Sequence, residues 1–310
     1  MPDSSTPPDR THPPVPPISA RDEPRFGSVE RKGALAAAFH DQGADYDRLR
    51  PGYPGPVLEA ILARLPGERA DDGATVHDVD PTAPTDVALP PRPRAIDLGA
   101  GTGKLSWALV ERGLDVTAVD TSRAMLAAAL RRVPTPAAGP NSTPGLLATH
   151  RASAEDTGLP AASAELVTVA QAWHWFDASA ASEEVTRLLA PGGVLALVWN
   201  MLDVTIPWVH RLSRIMHAGD IHREDFLPTV GPGLTLLARG VHEWQDPMPT
   251  QDIIDLARTR SYVLTATEER RDAVLANLDW YLHEHLGHAR GDVVGLPYRT
   301  DWFLYRPTEA

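Results

Sequence analysis

The sequence predicts a doubly wound α/β domain, a mostly parallel sheet with helices on both faces. Three observations point there. From Arg94 onward, short apolar runs alternate with helical patterns, the arrangement of parallel strands joined by crossover helices. A glycine turn, residues 97–103 (Asp-Leu-Gly-Ala-Gly-Thr-Gly), follows the first run and precedes a helix. A carboxylate, Asp120, closes the second run. Ligands on such sheets lie at the carboxyl ends of the strands.

In chain order, residues 1–25 are rich in Pro, Ser, Thr and Asp, and bury too little to offset ordering; they read as a disordered tail. Residues 26–310 form the domain. Within 34–66 lies a flap: Leu35, Ala38 and Phe39 share a helical face, then residues 46–54 (Tyr-Asp-Arg-Leu-Arg-Pro-Gly-Tyr-Pro) read as an ordered turn and not a helix. Pro54 opens a helix with Val57, Leu58, Ile61, Leu62 and Leu65 on its apolar face. Residues 68–93 and 134–145 read as mobile insertions of low complexity.

Strands are expected at 94–98, 115–120, 147–151, 165–170 and 194–199, with Gly192 and Gly193 turning the chain into the fifth. Ser122 caps a helix carrying Met125, Leu126, Ala129 and Leu130. Beyond Trp199, helices are expected at 207–217, 250–256 and 267–286, and strands at 241–246 and 299–305. Residues 201–239 read as a lid above the ligand.

Composition narrows the function. The net charge of −12 disfavours a duplex nucleic acid or an anionic membrane as partner. Lysine occurs only at Lys32 and Lys104, against a Lys-Asp-Lys-Glu catalytic tetrad. The absence of cysteine excludes disulfides, thiolate metal sites and Cys nucleophiles. No apolar run approaches the roughly 20 residues of a membrane span and no leader pattern opens the chain, so a cytoplasmic protein is expected.

Three nucleotide-site patterns compete for the glycine turn. A P-loop needs four residues between its glycines and a hydroxyl after the lysine; Gly99 and Gly103 are separated by three, and Leu105 follows Lys104. A dinucleotide fingerprint needs glycine where Lys104 stands. The pattern D-x-G-x-G-x-G fits Asp97 to Gly103 without a gap. Asp120 then stands where doubly wound sites place an acid for ribose hydroxyls. After the fourth strand, residues 171–177 (Gln-Ala-Trp-His-Trp-Phe-Asp) should line the cleft. At least two of Trp173, Trp175 and Phe176 are expected to pack on the helix that follows. His174 can act as a base or hold a substrate acid. Residues 283–288 (His-Glu-His-Leu-Gly-His) miss the zinc-helix pattern, because Gly287 stands where histidine is needed, so no metal is expected.

These segments, with residues 191–200 (Pro-Gly-Gly-Val-Leu-Ala-Leu-Val-Trp-Asn), occur in the order found in class I S-adenosylmethionine-dependent methyltransferases. From about Phe26 to Arg306 the chain resembles the methyltransferase-11 type, near the trans-aconitate methyltransferase group. Departures are the two insertions and Thr121, where proline often follows the acid. The resemblance implies a Rossmann-like sheet of seven strands with an antiparallel last strand, S-adenosylmethionine as cofactor and a small-molecule acceptor. It implies cofactor contacts from Asp97, Gly99, Ala100, Gly101, Gly103, Asp120, Thr121, Met125, Ala154, Glu155 and Gln171. Tyr46 and Arg50 join them from the flap, Arg50 toward the cofactor carboxylate. Tyr53, Trp173 and Trp175 are expected on the acceptor side, with His174 as the catalytic candidate. Two other readings stay open: an NAD-dependent oxidoreductase on the same kind of fold, and a protein that binds the cofactor without catalysis.

Overall fold

A computed structural model describes residues 44–66, 91–132, 144–218, 222–223 and 225–308. The expected tail, the first part of the flap and most of both insertions lie outside the described residues.

The chain forms two compact units. Of the described residues, those within Gly52–Trp199, Pro228–His242 and Thr300–Ala310 make the sheet unit, and those within Met1–Pro51, Asn200–Leu227 and Glu243–Arg299 make the helical unit. The elements begin with α1 (Ala44–Leu49), α2 (Gly55–Leu62), β1 (Arg94–Leu98), α3 (Lys104–Val110), β2 (Asp115–Asp120), α4 (Arg123–Arg131), β3 (Leu147–Arg151) and β4 (Ala164–Ala170). They continue with α5 (Ala178–Leu188), β5 (Leu189–Leu202), α6 (Pro207–Ile215), β6 (Leu234–Pro249), α7 (Thr250–Leu256), α8 (Ser261–Leu264), α9 (Glu268–Trp280) and β7 (Val293–Pro307). The seven strands form one sheet in the order β3-β2-β1-β4-β5-β7-β6, mostly parallel with one antiparallel strand.

The order explains where a ligand belongs. From β1 the chain builds outward through β2 and β3, then returns to the other side of β1 with β4 and β5, all parallel. The carboxyl ends of β1 and β4 therefore flank the topological switch point. The strands of the sheet unit are apolar because both faces are covered. Leu98, Val167, Leu195 and Leu197 are fully buried, and α2 and α3 lay Leu58, Ile61, Leu105 and Leu109 on a core shared with the alternate strand residues Ala95, Leu166, Ala196 and Val198. The helical unit has its own core, built on Leu212, Ile253, Leu256, Leu278, Leu282 and Leu296.

Several boundaries differ from the sequence reading. Residues 46–49 belong to α1, so the turn begins only at Arg50; the local prolines act after it, not within it. Pro54 takes the cap position of α2, with Pro56 in its first turn. Leu130 is exposed, outside the buried stripe that Met125, Leu126 and Ala129 form on α4. Strand β5 runs through Gly192 and Gly193, with a register shift against β4 at Ala164/Leu166. Strand β6 starts at Leu234, inside the expected lid, and β7 starts at Val293. The long helix expected at 267–286 is α9 followed by a π-helical turn, Tyr281–His285. No described helix is long and apolar enough to cross a membrane.

Candidate active site

The site begins where β1 ends. Gly99, Gly101 and Gly103 all adopt positive φ, at 67°, 56° and 75°. L side chains rarely adopt this conformation, so glycine is the residue that turns the chain here without strain. The three positions differ in what surrounds them. A Cβ on Gly99 would lie 2.6 Å from Ala172 Cβ and 3.0 Å from the Phe176 ring, and one on Gly103 would lie 2.8 Å from Ala129 Cβ. A Cβ on Gly101 would meet nothing within 4 Å. Two glycines thus serve close packing, and Gly101 alone presents bare backbone to open space.

Asp120, at the end of β2, reaches that backbone. Its Oδ2 accepts from Gly101 N at 2.9 Å and its Oδ1 from Ser122 N at 2.7 Å. The carboxylate is half-buried at the open side of the loop, which suits it to accept from ribose hydroxyls as well. Ala100 N donates to Val119 O at 3.0 Å, tying the loop to β2.

Asp97 has a different task from the one expected. It is 1% exposed, and both oxygens are engaged: Oδ2 accepts from Ser106 at 2.6 Å and Oδ1 from Thr168 at 2.8 Å. The register of β1 with β4 sets Thr168 beside it. Asp97 braces the loop from below and is not available for direct cofactor contact. Burial pushes its carboxyl up to about 6 against the pull of the Ser106 and Thr168 bonds, with Asp120 adding to the rise.

Beyond β3, Ala154 is 5% exposed and Glu155 Oε1 accepts from Asp177 N at 3.0 Å. Asp177 caps α5, accepting from Ser179 N and Ala180 N at 3.0 Å each. The same loop is held by Glu184, which the sequence reading missed. Glu184 is 7% exposed and accepts from both the backbone N–H and the hydroxyl of Thr157. Arg187 bonds Glu184 and also donates to Leu159 O at 2.7 Å. The Arg187 guanidinium, burial opposing it, holds the Glu184 carboxyl down at about 2. The only signal in sequence was an acidic residue on the apolar side of a helical pattern.

At the end of β4, Gln171 adopts φ 58° while its N–H donates to Val198 O at 2.9 Å. A non-glycine residue in this region is uncommon and concentrates at functional sites. Trp173 turns inward, contrary to its expected place against the acceptor. It is 4% exposed, and its Nε1 donates to Thr229 O at 2.8 Å. Trp173 and Phe176 meet edge to face at 6.0 Å, so two of the three aromatics pack. His174 and Trp175 are half-buried, their rings 5.2 Å apart.

The remaining positions divide between the units. Thr121 is exposed, and its carbonyl accepts from Arg151; Met125 is 6% exposed at the capped start of α4. Tyr53 is half-buried against the sheet unit's apolar core. Tyr46 lies in α1, and Arg50 lies in the helical unit with Nη2 donating to Thr259 O at 2.8 Å. His283 Nδ1 bonds His288 O at 2.9 Å, and among the described residues no three His, Cys, Asp or Glu side chains are grouped to hold a metal. The cradle over Gly101, walled by Asp120, fits a nucleoside cofactor. Such a cofactor would rest on the backbone there and bond through its ribose.

Comparison with known proteins agrees with this geometry. Residues 96–197 match the family described as methyltransferase domain. An uncharacterized methyltransferase of Mycobacterium tuberculosis is 35% identical over 86% of this chain and 94% of its own length. The malonyl-[acyl-carrier protein] O-methyltransferase of Enterobacter lignolyticus is 31% identical over 56% of this chain and 55% of its own. A solved structure from Anaeromyxobacter dehalogenans, assigned as a type II methyltransferase, superposes with a TM-score of 0.52 at 26% identity, covering 82% of this chain and 95% of that one.

Proposed function

The chain belongs to the class I S-adenosylmethionine-dependent methyltransferases, and from that premise we propose that it methylates a small molecule bearing a carboxylate. S-adenosylmethionine is the cofactor, and when bound it supplies a methyl group activated by a sulfonium. The observation that carries the reading is the open face of Gly101 beside Asp120 at the switch point. The contacts we assign to the cofactor are the backbone of 99–103, Asp120, Ala154, Glu155 and Gln171, with Thr121 and Met125 bordering them.

Methyl transfer is an in-line displacement, so the protein's work is to align the two reactants and exclude water. A carboxylate has already lost its proton at neutral pH and needs no base. His174 and Trp175 then hold the acceptor. Support for an oxygen acceptor comes from the relative named as a malonyl-[acyl-carrier protein] O-methyltransferase. Lys104 at the third fingerprint position speaks against the NAD reading.

Calorimetry tests the cofactor assignment: S-adenosylmethionine and its demethylated product should bind, and NAD should not. Asp120→Ala should weaken cofactor binding by roughly 1.5–3 kcal/mol, the range for hydrogen bonds to a charged group. A mass-spectrometric screen of metabolite extracts for the gain of one CH2 would find the acceptor, and failure to methylate anything would favour binding without catalysis. His174→Ala should raise KM and leave kcat nearly unchanged. A rise of kcat through a pKa near neutrality that vanishes in this variant would instead make His174 a base, worth roughly 10²–10⁴-fold.

A further inference from the structure

The loop after β3 is tied to α5 by a buried charge. It leaves the sheet at Arg151, which the β2–β3 register sets opposite Asp120, and runs through residues 152–163 to β4. Thr157, 3% exposed, is its knot. The Thr157 N–H donates to Glu184 Oε1 at 2.9 Å, and its hydroxyl donates to the same oxygen. Its carbonyl accepts from His150 Nε2 at 2.7 Å, and its hydroxyl accepts from Leu159 N at 3.2 Å. Arg187 closes the ring from α5, donating at 2.7 Å to each Glu184 oxygen and to Leu159 O. Nearer β3, Asp156 N donates to Ser153 Oγ at 3.2 Å, and Glu155 Oε1 accepts from Asp177 N, the cap residue of α5, at 3.0 Å.

Stability alone does not call for this arrangement. Burying a carboxylate is costly even when it is paired, and apolar side chains of similar volume often stabilise a fold as well or better. What a buried and fully bonded charge adds is a single geometry. The topology says what that geometry serves. Strand β2 lies between β1 and β3, and β4 lies on the other side of β1. A nucleoside whose ribose bonds Asp120, at the end of β2, has β3 on one side and the glycine loop and β4 on the other. Its methyl group must face the acceptor side, where His174 and Trp175 follow β4. The base then lies on the opposite side, against residues 152–155.

We infer that Glu184, with Thr157 and Arg187, is a positioning residue for the cofactor: without touching the base it holds the loop that reads it, and so sets the preference for adenine over other purines. The inference rests on the cofactor assignment made above.

The test is calorimetry on the full chain, well below the Tm of each variant, with S-adenosylhomocysteine and S-inosylhomocysteine as probes. The second carries an oxygen in place of the exocyclic amino group of adenine. The natural chain should prefer the first. Glu184→Gln and Thr157→Val should each narrow that preference by roughly 10-fold, the worth of one hydrogen bond, mainly by weakening S-adenosylhomocysteine. Thr157→Ser keeps the hydroxyl and should retain the preference. A purely structural role would lower Tm and leave the ratio of the two affinities where it was. If Glu184→Gln does not fold, the two Thr157 variants decide. An unchanged ratio in the variants, an equal loss for both probes, or Thr157→Ser behaving as Thr157→Val would overturn the inference. A natural chain that binds both probes equally would overturn it too, and leave the cofactor assignment standing. A natural chain that binds neither would sink the cofactor assignment and the inference with it.

Discussion

Gly99 and Gly101 share a left-handed backbone and differ in what a methyl group would meet. Alanine at either position incurs similar backbone strain, about 1–2 kcal/mol, so comparing the two variants isolates the contact. Gly99→Ala should lose clearly more thermal stability, its Cβ being driven against Ala172. Gly101→Ala should fold better of the two and lose cofactor binding, read by calorimetry. Asp97 offers a second check. Its carboxyl is raised from 3.8 to about 6 in the folded chain, so the folded state holds its proton over a range where the unfolded state releases it. Stability conferred by the neutral form is present below about 4 and falls as pH rises to about 6. Denaturation of the natural chain and Asp97→Asn across this range should show the natural chain losing ground by up to about 3 kcal/mol. The sequence placed both acids correctly at strand ends. It could not separate their roles, since burial of Asp97 depends on Thr168, which only the β1–β4 pairing brings near.

At the scale of elements, the glycine loop and the capped helix after β2 were legible because their signals are local. Ser122 does accept from Met125 N, at 3.3 Å. The loop after β3 was legible only as a polar segment. Its shape is held by Glu184, distant in sequence and brought in by the packing of α5 against β4. Glu184→Gln should cost roughly 1.5–3 kcal/mol at neutral pH, the worth of bonds to a charged group. The carboxyl is lowered from 4.5 to about 2, so this advantage is complete above about 4.5 and lost as pH falls through about 2. Urea titrations at pH 7 and pH 2 should show the gap between variant and natural chain closing. The strand ends resisted prediction for another reason. Polar and glycine positions in β5 and β6 break the apolar pattern, while pairing with neighbouring strands extends the ladder through them.

At the scale of the whole chain, charge makes a prediction of its own. With a net charge of −12, the protein should not retard duplex DNA in a gel at physiological salt, where phosphate contacts dominate affinity. The division into two units was not legible in sequence, because each is assembled from separated segments and the chain passes from one to the other inside β5, β6 and β7 as well as in loops. A truncation after Arg299 should be insoluble. It removes Leu304, fully buried in the sheet unit's core, and strips β5 and β6 of much of the strand between them.

That placement of β7 has a consequence during synthesis. Strand β7 leaves the ribosome after the other six strands of the sheet and is an inner one, and it is the one neighbour through which β6 joins the sheet. Strand β6 ends at Pro249 and β7 begins at Val293. At about 5–20 residues per second, β6 waits roughly 2–9 s with an unpaired edge. During that interval the nascent chain offers two open strand edges and an unfinished core, the kind of surface that chaperones cover and that neighbouring chains on a polysome can capture.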